Sequence, residues 1–201
     1  MKSTRDRILD AAAHLMRTQG LASATTKEIA RGADLSEAAL YRHFRDQSEI
    51  FLCVMAERMP AFITAMKDLP ARVGRGHVGR TLEGIALGAL AFYGEVAPMG
   101  ASLFSEPELL ARHREALRRE RAGPHLALEK LSTYLRAEQN LGRLPKLLDA
   151  DAVAALLLGA CFQRAFIQRF SGVQPSAHEE KRFVRRLIRT LLPQRAAASD
   201  S

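Results

Sequence analysis

The chain holds two cysteines among 201 residues, Cys53 and Cys161, too few and too far apart for a disulfide scaffold or a CxxC site. With 8 Pro and 13 Gly it is neither collagen-like nor a low-complexity linker, and 47% hydrophobic residues set it apart from disordered chains. Long apolar runs are missing as well. The longest stretch without a charged side chain is Ala152 to Gln163, short of the roughly 18 apolar residues that a membrane span requires. Arg5, Asp6, Arg7 and Asp10 stand where an export signal would carry its apolar core, so a cytoplasmic setting without membrane contact is expected. Strand signals are equally scarce: no Asn-Gly or Asp-Gly hairpin turn, no sustained alternation and few β-branched residues, while Ala, Leu, Arg and Glu dominate. An all-α fold follows.

Catalytic signatures are absent too. The six histidines (14, 43, 77, 113, 125 and 178) form no H-x-x-x-H pair and no Cys/His cluster, so no metal is expected. There is no G-x-S-x-G elbow. Gly74-Arg75-Gly76-His77-Val78-Gly79 matches G-x-G-x-x-G, with Glu95 near the ribose-binding distance. That motif needs a preceding strand, however, and Asp68 to Val73 contains Pro70 and leads into no βαβ pattern. The glycines are expected to form a loop before a helix. Neither a cofactor nor an enzymatic activity is expected.

A net charge of +8 invites a nucleic-acid partner, but its distribution argues for restraint. The first fifty residues carry 8 Lys/Arg against 7 Asp/Glu, a balance of +1. Most of the excess lies at Arg112 to Arg121 and Lys181 to Arg195, spaced along helices as a solvated face would be.

Those first fifty residues are nonetheless the informative part. Ser3 or Thr4 can cap a helix running to about Gln19, where Gly20 stops it. Thr25 and Glu28 form the T-x-x-E of a capping box for a short helix over about 26–33. Ser36 caps a third over about 37–44, and Asp46 with Glu49 opens a fourth that carries Phe51, Val54 and, past an expected kink at Pro60, Phe62 and Met66. Only Asp34 and Leu35 separate the second and third helices. Two short helices joined so tightly must cross steeply, as in a helix-turn-helix.

Thr25-Thr26-Lys27-Glu28-Ile29-Ala30, Ala33-Asp34-Leu35-Ser36 and Leu40-Tyr41-Arg42-His43-Phe44 resemble the DNA-binding domain of the TetR family of bacterial transcriptional regulators, over about residues 4–52. The resemblance implies a helix-turn-helix domain at 1–47, a larger helical effector-binding and dimerisation domain at 48–193, and a flexible tail at 194–201. It implies a sequence-specific regulator, a repressor released from a pseudo-palindromic operator in double-stranded DNA by a small hydrophobic ligand. The alternative is a helical small-molecule binding protein whose helix-turn-helix no longer grips DNA.

The third helix would then enter the major groove. It presents Ser36, Glu37, Ala38, Ala39, Tyr41 and Arg42, while Leu40 and Phe44 pack back onto Ile29 and the first helix. Ala38 and Ala39 can touch thymine methyls, and Arg42 reads guanine or clamps a phosphate. Glu37 accepts from cytosine or favours the positive end of the helix. Thr25, Thr26, Lys27, Tyr41, His43 and Arg45 fall to the backbone, Tyr41 and His43 by carry-over from the family. Two positions depart from its pattern: Asp34 replaces a turn glycine, and Gln47 stands where a Lys is favoured. Gln47 can still bond a phosphate but releases no counterion.

The remaining chain has Met and Phe spacings that suit either an ordinary core or an adaptable apolar cavity: Met55, Met59, Phe62, Met66, Phe92, Tyr93, Met99, Phe104, Phe162 and Phe166. Two late helices, about 149–170 and 178–192, are expected to form a homodimer bundle. Val153, Leu156, Leu157, Ala160 and Ala165 supply one side, and Phe183, Val184, Leu187, Ile188 and Leu191 the other.

Overall fold

The computed structural model describes residues 2–192, and among them every regular element is helical. The expected tail at 194–201 lies outside the described residues. The order is α1 Thr4–Gln19, α2 Thr26–Gly32, α3 Glu37–Leu40, α4 Gln47–Arg58, α5 Pro60–Arg72, α6 Val78–Ala101, a 3-10 turn Ser102–Ser105, α7 Pro107–Arg119, α8 His125–Asn140, α9 Ala150–Ser171 and α10 Ala177–Leu191.

The caps fall where short polar side chains can satisfy the first amide groups of each helix. Ser3, Thr25, Ser36, Asp46, Asp149 and Ser176 each accept from a backbone N–H at the start of α1, α2, α3, α4, α9 and α10. The full reciprocal box occurs at Ser176–Glu179. At Thr25 only its first half forms, because the Glu28 carboxylate turns to Arg31 instead. The expected kink at Pro60 is a break: Met59 leaves the helix at φ −131°, ψ 50°, and Pro60 opens α5.

The helices form two compact units. The first takes the chain up to Ile63 together with Gly94–Gly123. Its core gathers Ile8, Leu9 and Met16 from α1, Ile29 from α2, Leu40 from α3, and Ile50 and Val54 from α4, all fully buried. Each such side chain is worth about 1.5–3 kcal/mol of apolar burial. Met99, Leu103 and Leu109 join the same core, so the N-terminal helices are completed by residues far beyond position 47. Charged straps bind α1 to α4: Arg5 grips both Glu57 oxygens at 2.7 Å, and Arg58 reaches Asp6 at 2.9 Å and Asp10 at 2.8 Å. The Ser3 hydroxyl and then Arg58 hold the Asp6 carboxyl below its usual range, Lys2 and then Arg58 do the same for Asp10, and Arg5 does it for Glu57.

The second unit takes Thr64–Tyr93 and the chain from Pro124 onward. Here α8 packs on α9, and Leu157, Leu158, Cys161 and Ala165 face inward. The Cys161 thiol contacts the Ala86 carbonyl at 3.6 Å, and burial pushes it up to about 12. Glu138 is wholly buried and receives the Gly74 amide at 3.0 Å, while Arg143 stands 3.2 Å from its other oxygen and donates to the Gly76 carbonyl. The glycine-rich stretch is thus a pinned loop between α5 and α6, as expected, with Gly74 and Gly76 both at positive φ. By length and composition, α9 and Val78–Ser105 could cross a membrane, which counting uninterrupted apolar runs overlooked because a charge such as Arg164 interrupts α9.

Candidate nucleic-acid interface

The turn between α2 and α3 is built as a left-handed helix stop. Leu35 donates to the Ala30 carbonyl at 3.0 Å and Asp34 to Arg31 at 3.1 Å, the paired bonds of a Schellman motif. That motif puts the residue after the cap at positive φ. Asp34 adopts it, at φ 56°, in the place where the family favours glycine. The Arg7 guanidinium donates to the carbonyls of Ala33 and Asp34, fastening the turn to α1.

After this turn α3 is shorter than the sequence suggests. Its regular part ends at Leu40, and a tighter ladder (Arg42 to Ala39, His43 to Leu40) carries the backbone to Phe44. The decisive polarity survives. Leu40 is fully buried and Phe44 nearly so, with the Arg5 guanidinium 5.2 Å over the Phe44 ring. Tyr41 is 52% exposed, and Arg42, His43, Ala38 and Arg45 are exposed with it. A groove of about 540 Å³ runs alongside, lined by Lys27, Ala30, Arg31, Asp34, Leu35, Ser36 and Glu37.

Two expected backbone contacts are otherwise engaged. The Thr26 hydroxyl donates to Glu37 at 2.6 Å, with the Tyr41 hydroxyl 3.2 Å away, so Glu37 gathers Thr26 and Tyr41 rather than leaving both aimed outward. The Gln47 amide donates to the carbonyls of Leu21 and Ala24, the latter at 2.8 Å, and thereby closes the α1–α2 loop. An amide whose two hydrogens are spent on carbonyls has no donor left for a phosphate.

A family model described as "Bacterial regulatory proteins, tetR family" matches residues 8–54, and one described as "AefR-like transcriptional repressor, C-terminal domain" matches residues 107–194. The chain belongs to the TetR family. It is 42% identical over 57 residues to the uncharacterized HTH-type transcriptional regulator TtgW of Pseudomonas putida, a stretch covering 28% of this chain and 42% of that protein. Among solved structures, a putative TetR-family transcriptional regulator from Mesorhizobium loti superposes with TM-score 0.70 at 18% identity, over 94% of each chain. The regulator FadR from Bacillus subtilis, in complex with stearoyl-CoA, gives TM-score 0.67 at 16% identity, over 94% of this chain and 97% of that one. At such identities the likeness is one of fold.

Within this TetR-family chain the ten apolar residues expected around an effector are divided. Met55, Met59 and Met99 pack into the core of the first unit, where Phe51 and His113 already meet at 5.3 Å. Phe104 is 81% exposed. Phe62 is buried in the first unit and Met66 in the second. In the second unit Tyr93 meets Phe92 at 5.7 Å and Phe162 at 5.5 Å, edge to face, and Phe166 stacks on Phe170 at 6.0 Å. Burial raises the Tyr93 hydroxyl to about 12.

The dimer candidates divide as well. Val153, Leu157, Ala165, Val184 and Ile188 are buried within their own unit, because an amphipathic helix must first cover its own core. Ala160, Leu187 and Leu191 are half-buried, and Phe183 lies 4.4 Å beneath the Arg164 guanidinium. Leu156 remains outside, and it shares an exposed face of α9 with Gly159, Phe166 and Phe170. Sequence periodicity missed this second face because α9 is apolar on both sides.

Proposed function

We propose that the chain is a one-component transcriptional regulator that binds a pseudo-palindromic DNA site as a homodimer and releases it when a small hydrophobic effector binds. One observation carries the reading: Leu40 and Phe44 are buried while Tyr41 and Arg42 stand out on the opposite side of the same short segment. A segment anchored in this way offers its outer residues to the edges of base pairs, with Arg42 placed for guanine and Ala38 for thymine methyls. Lys27, His43 and Arg45 flank it as backbone contacts.

Dimerisation is attributed to α9. A helix that buries one face and leaves Leu156, Phe166 and Phe170 exposed on another needs a second apolar surface, and a copy of the same helix across a two-fold axis supplies it. Two recognition segments related in this way read half-sites about 34–36 Å apart. The effector is assigned to the second unit, where Phe92, Tyr93 and Phe162 form an aromatic cluster that can repack around an apolar ligand. The Bacillus subtilis relative in complex with stearoyl-CoA is consistent with a ligand of that character. The effector acts only through its different affinity for the two arrangements of the dimer.

Selection of bound duplexes from a random pool, using the full chain, tests this reading. Enrichment of an inverted repeat with half-sites about one helical turn apart is expected. Recovery of unenriched sequence, with no retention at low salt, overturns it.

A further inference from the structure

We infer that the C-terminal end of α7, through Arg119 and Arg121, is a second DNA-backbone contact placed beside the recognition segment. The inference rests on the DNA-binding reading above and concerns a part of the chain outside the helix-turn-helix.

The two helices α4 and α7 of the first unit run in opposite directions. The Asp46 carboxylate, at the cap of α4, is 3.8 Å from Arg119 at the end of α7. Further along α4, the Phe51 ring lies 5.3 Å from that of His113, earlier in α7. Numbering thus rises on one helix as it falls on the other, and the last turn of α7 stands level with the first turn of α4. That first turn follows directly on His43 and Arg45, the exposed end of the recognition segment.

Charge gives this placement its meaning. The start of α4 carries Asp46 and Glu49, both of which repel phosphates and neither of which the fold can spare. Asp46 caps the helix by accepting from the Glu49 amide at 2.8 Å, and the Glu49 carboxylate accepts from the Arg45 amide at 2.8 Å. The cation that the TetR family favours at this point is absent, because position 47 is a neutral Gln, and its amide is turned inward onto the loop carbonyls. Arg119 supplies it from another helix: its Nε donates to Glu120 at 3.1 Å, and its guanidinium also feels the Asp46 and Glu49 carboxylates. Beyond it Arg121 is exposed and sits at φ 48°, a left-handed conformation that side chains other than glycine rarely take. The run from Arg112 to Arg121 holds five arginines against two acids, so the positive charge missing from the first fifty residues is returned to the same unit by α7. Cations at a helix C-terminus also suit the helix dipole. The dipole alone, however, does not require that they converge on the cap of the helix next to the DNA-reading segment.

The test is the salt dependence of affinity of the full chain for the selected duplex and for an unrelated duplex of the same length. Each phosphate contact adds about 0.9 to the slope of log affinity against log salt. In the dimer the double variant Arg119→Gln/Arg121→Gln removes four phosphate contacts, two from each protomer, and is expected to lower that slope by roughly 3.6 on both duplexes, and affinity near 0.1 M salt by on the order of a thousandfold or more. Arg119→Lys/Arg121→Lys should retain the slope, which separates a charge contact from a structural role. If the glutamine variant keeps the wild-type slope, or if the lysine variant loses as much as the glutamine one, the inference fails while the DNA-binding reading stands. If the wild-type chain binds neither duplex, the underlying reading has failed instead.

Discussion

The backbone amide of Leu21 donates to the carbonyl of Met99 at 2.9 Å, so the loop between α1 and α2 is fastened to the last turn of α6. The Met99 side chain is fully buried in the core that α1 and α4 share. The unit bearing the recognition segment is therefore incomplete without residues some distance along the chain. Met99→Ala is expected to destabilise this unit by about 2–5 kcal/mol, as large-to-small changes in a packed core do. Urea denaturation followed by circular dichroism checks it. A fragment ending at Ile63 should unfold without a cooperative transition, and a sharp transition in that fragment would contradict the assignment.

Gln47 is a second tie on the same loop. Gln47→Ala removes both donors and leaves the carbonyls of Leu21 and Ala24 to find others, a loss of about 1–3 kcal/mol in stability. Because the side chain is neutral and turned inward, the salt slope of DNA binding should not change. A changed slope with unchanged stability would return Gln47 to the phosphate role that its position in the sequence suggests.

Glu37 holds Thr26 and Tyr41 with a carboxylate on the face proposed to meet DNA. Glu37→Gln keeps an acceptor for the Thr26 hydroxyl while removing a charge that repels phosphates. Binding should tighten about threefold, on the scale of 0.5–1 kcal/mol for an exposed charge interaction. Titration of labelled duplex by anisotropy measures this, and weaker binding to every sequence would show that the carboxylate itself is needed.

His113 is buried against Phe51, and desolvation holds its pKa below the usual 6.5 even though Asp46 pulls the other way. Below 6.5 the unfolded chain binds a proton that the folded chain refuses. Stability should therefore fall as pH drops from 6.5 through the lower folded value, and level off beneath it. Thermal melts between about pH 7.5 and 5 should show this fall, and His113→Leu should flatten it.

In the second unit, Arg143 is the partner of a wholly buried carboxylate, that of Glu138. Arg143→Ala leaves that charge buried and unpaired, with an expected loss of about 3–5 kcal/mol. The double variant Arg143→Ala/Glu138→Leu should recover most of it. Equal instability in the single and double variants would mean that the pinned loop, rather than the charge, is what matters.

Local signals in the sequence carried the helix-turn-helix. Ser3, Thr25, Ser36 and Asp46 announce the starts, Gly20 a stop, and Leu40 with Phe44 the buried side, because capping and helical periodicity act within a few residues. What escaped is long-range. Nothing near Arg5 or Arg58 points to Glu57 or to Asp6 and Asp10, and nothing near Met99 points to α1. The phosphate role for Gln47 rested on position alone, whereas the two carbonyls that engage it belong to a loop more than twenty residues earlier. The late helices illustrate a different difficulty. In α9 both faces are apolar, so the stripe through Val153 and Leu157 reads as an interface although it is core, while Leu156 and Phe166 lie outside.

The most direct test is competition anisotropy on the selected duplex for the wild-type chain, Arg42→Ala and Tyr41→Ala. If the exposed side of the recognition segment reads DNA, wild type should prefer the selected duplex over a scrambled one by at least about a thousandfold. Arg42→Ala should lose about 1–3 kcal/mol of that preference if its guanidinium meets a guanine, whereas Tyr41→Ala should weaken binding to both duplexes alike. Equal affinity of the wild-type chain for the selected and scrambled duplexes, unchanged in both variants, would contradict the account.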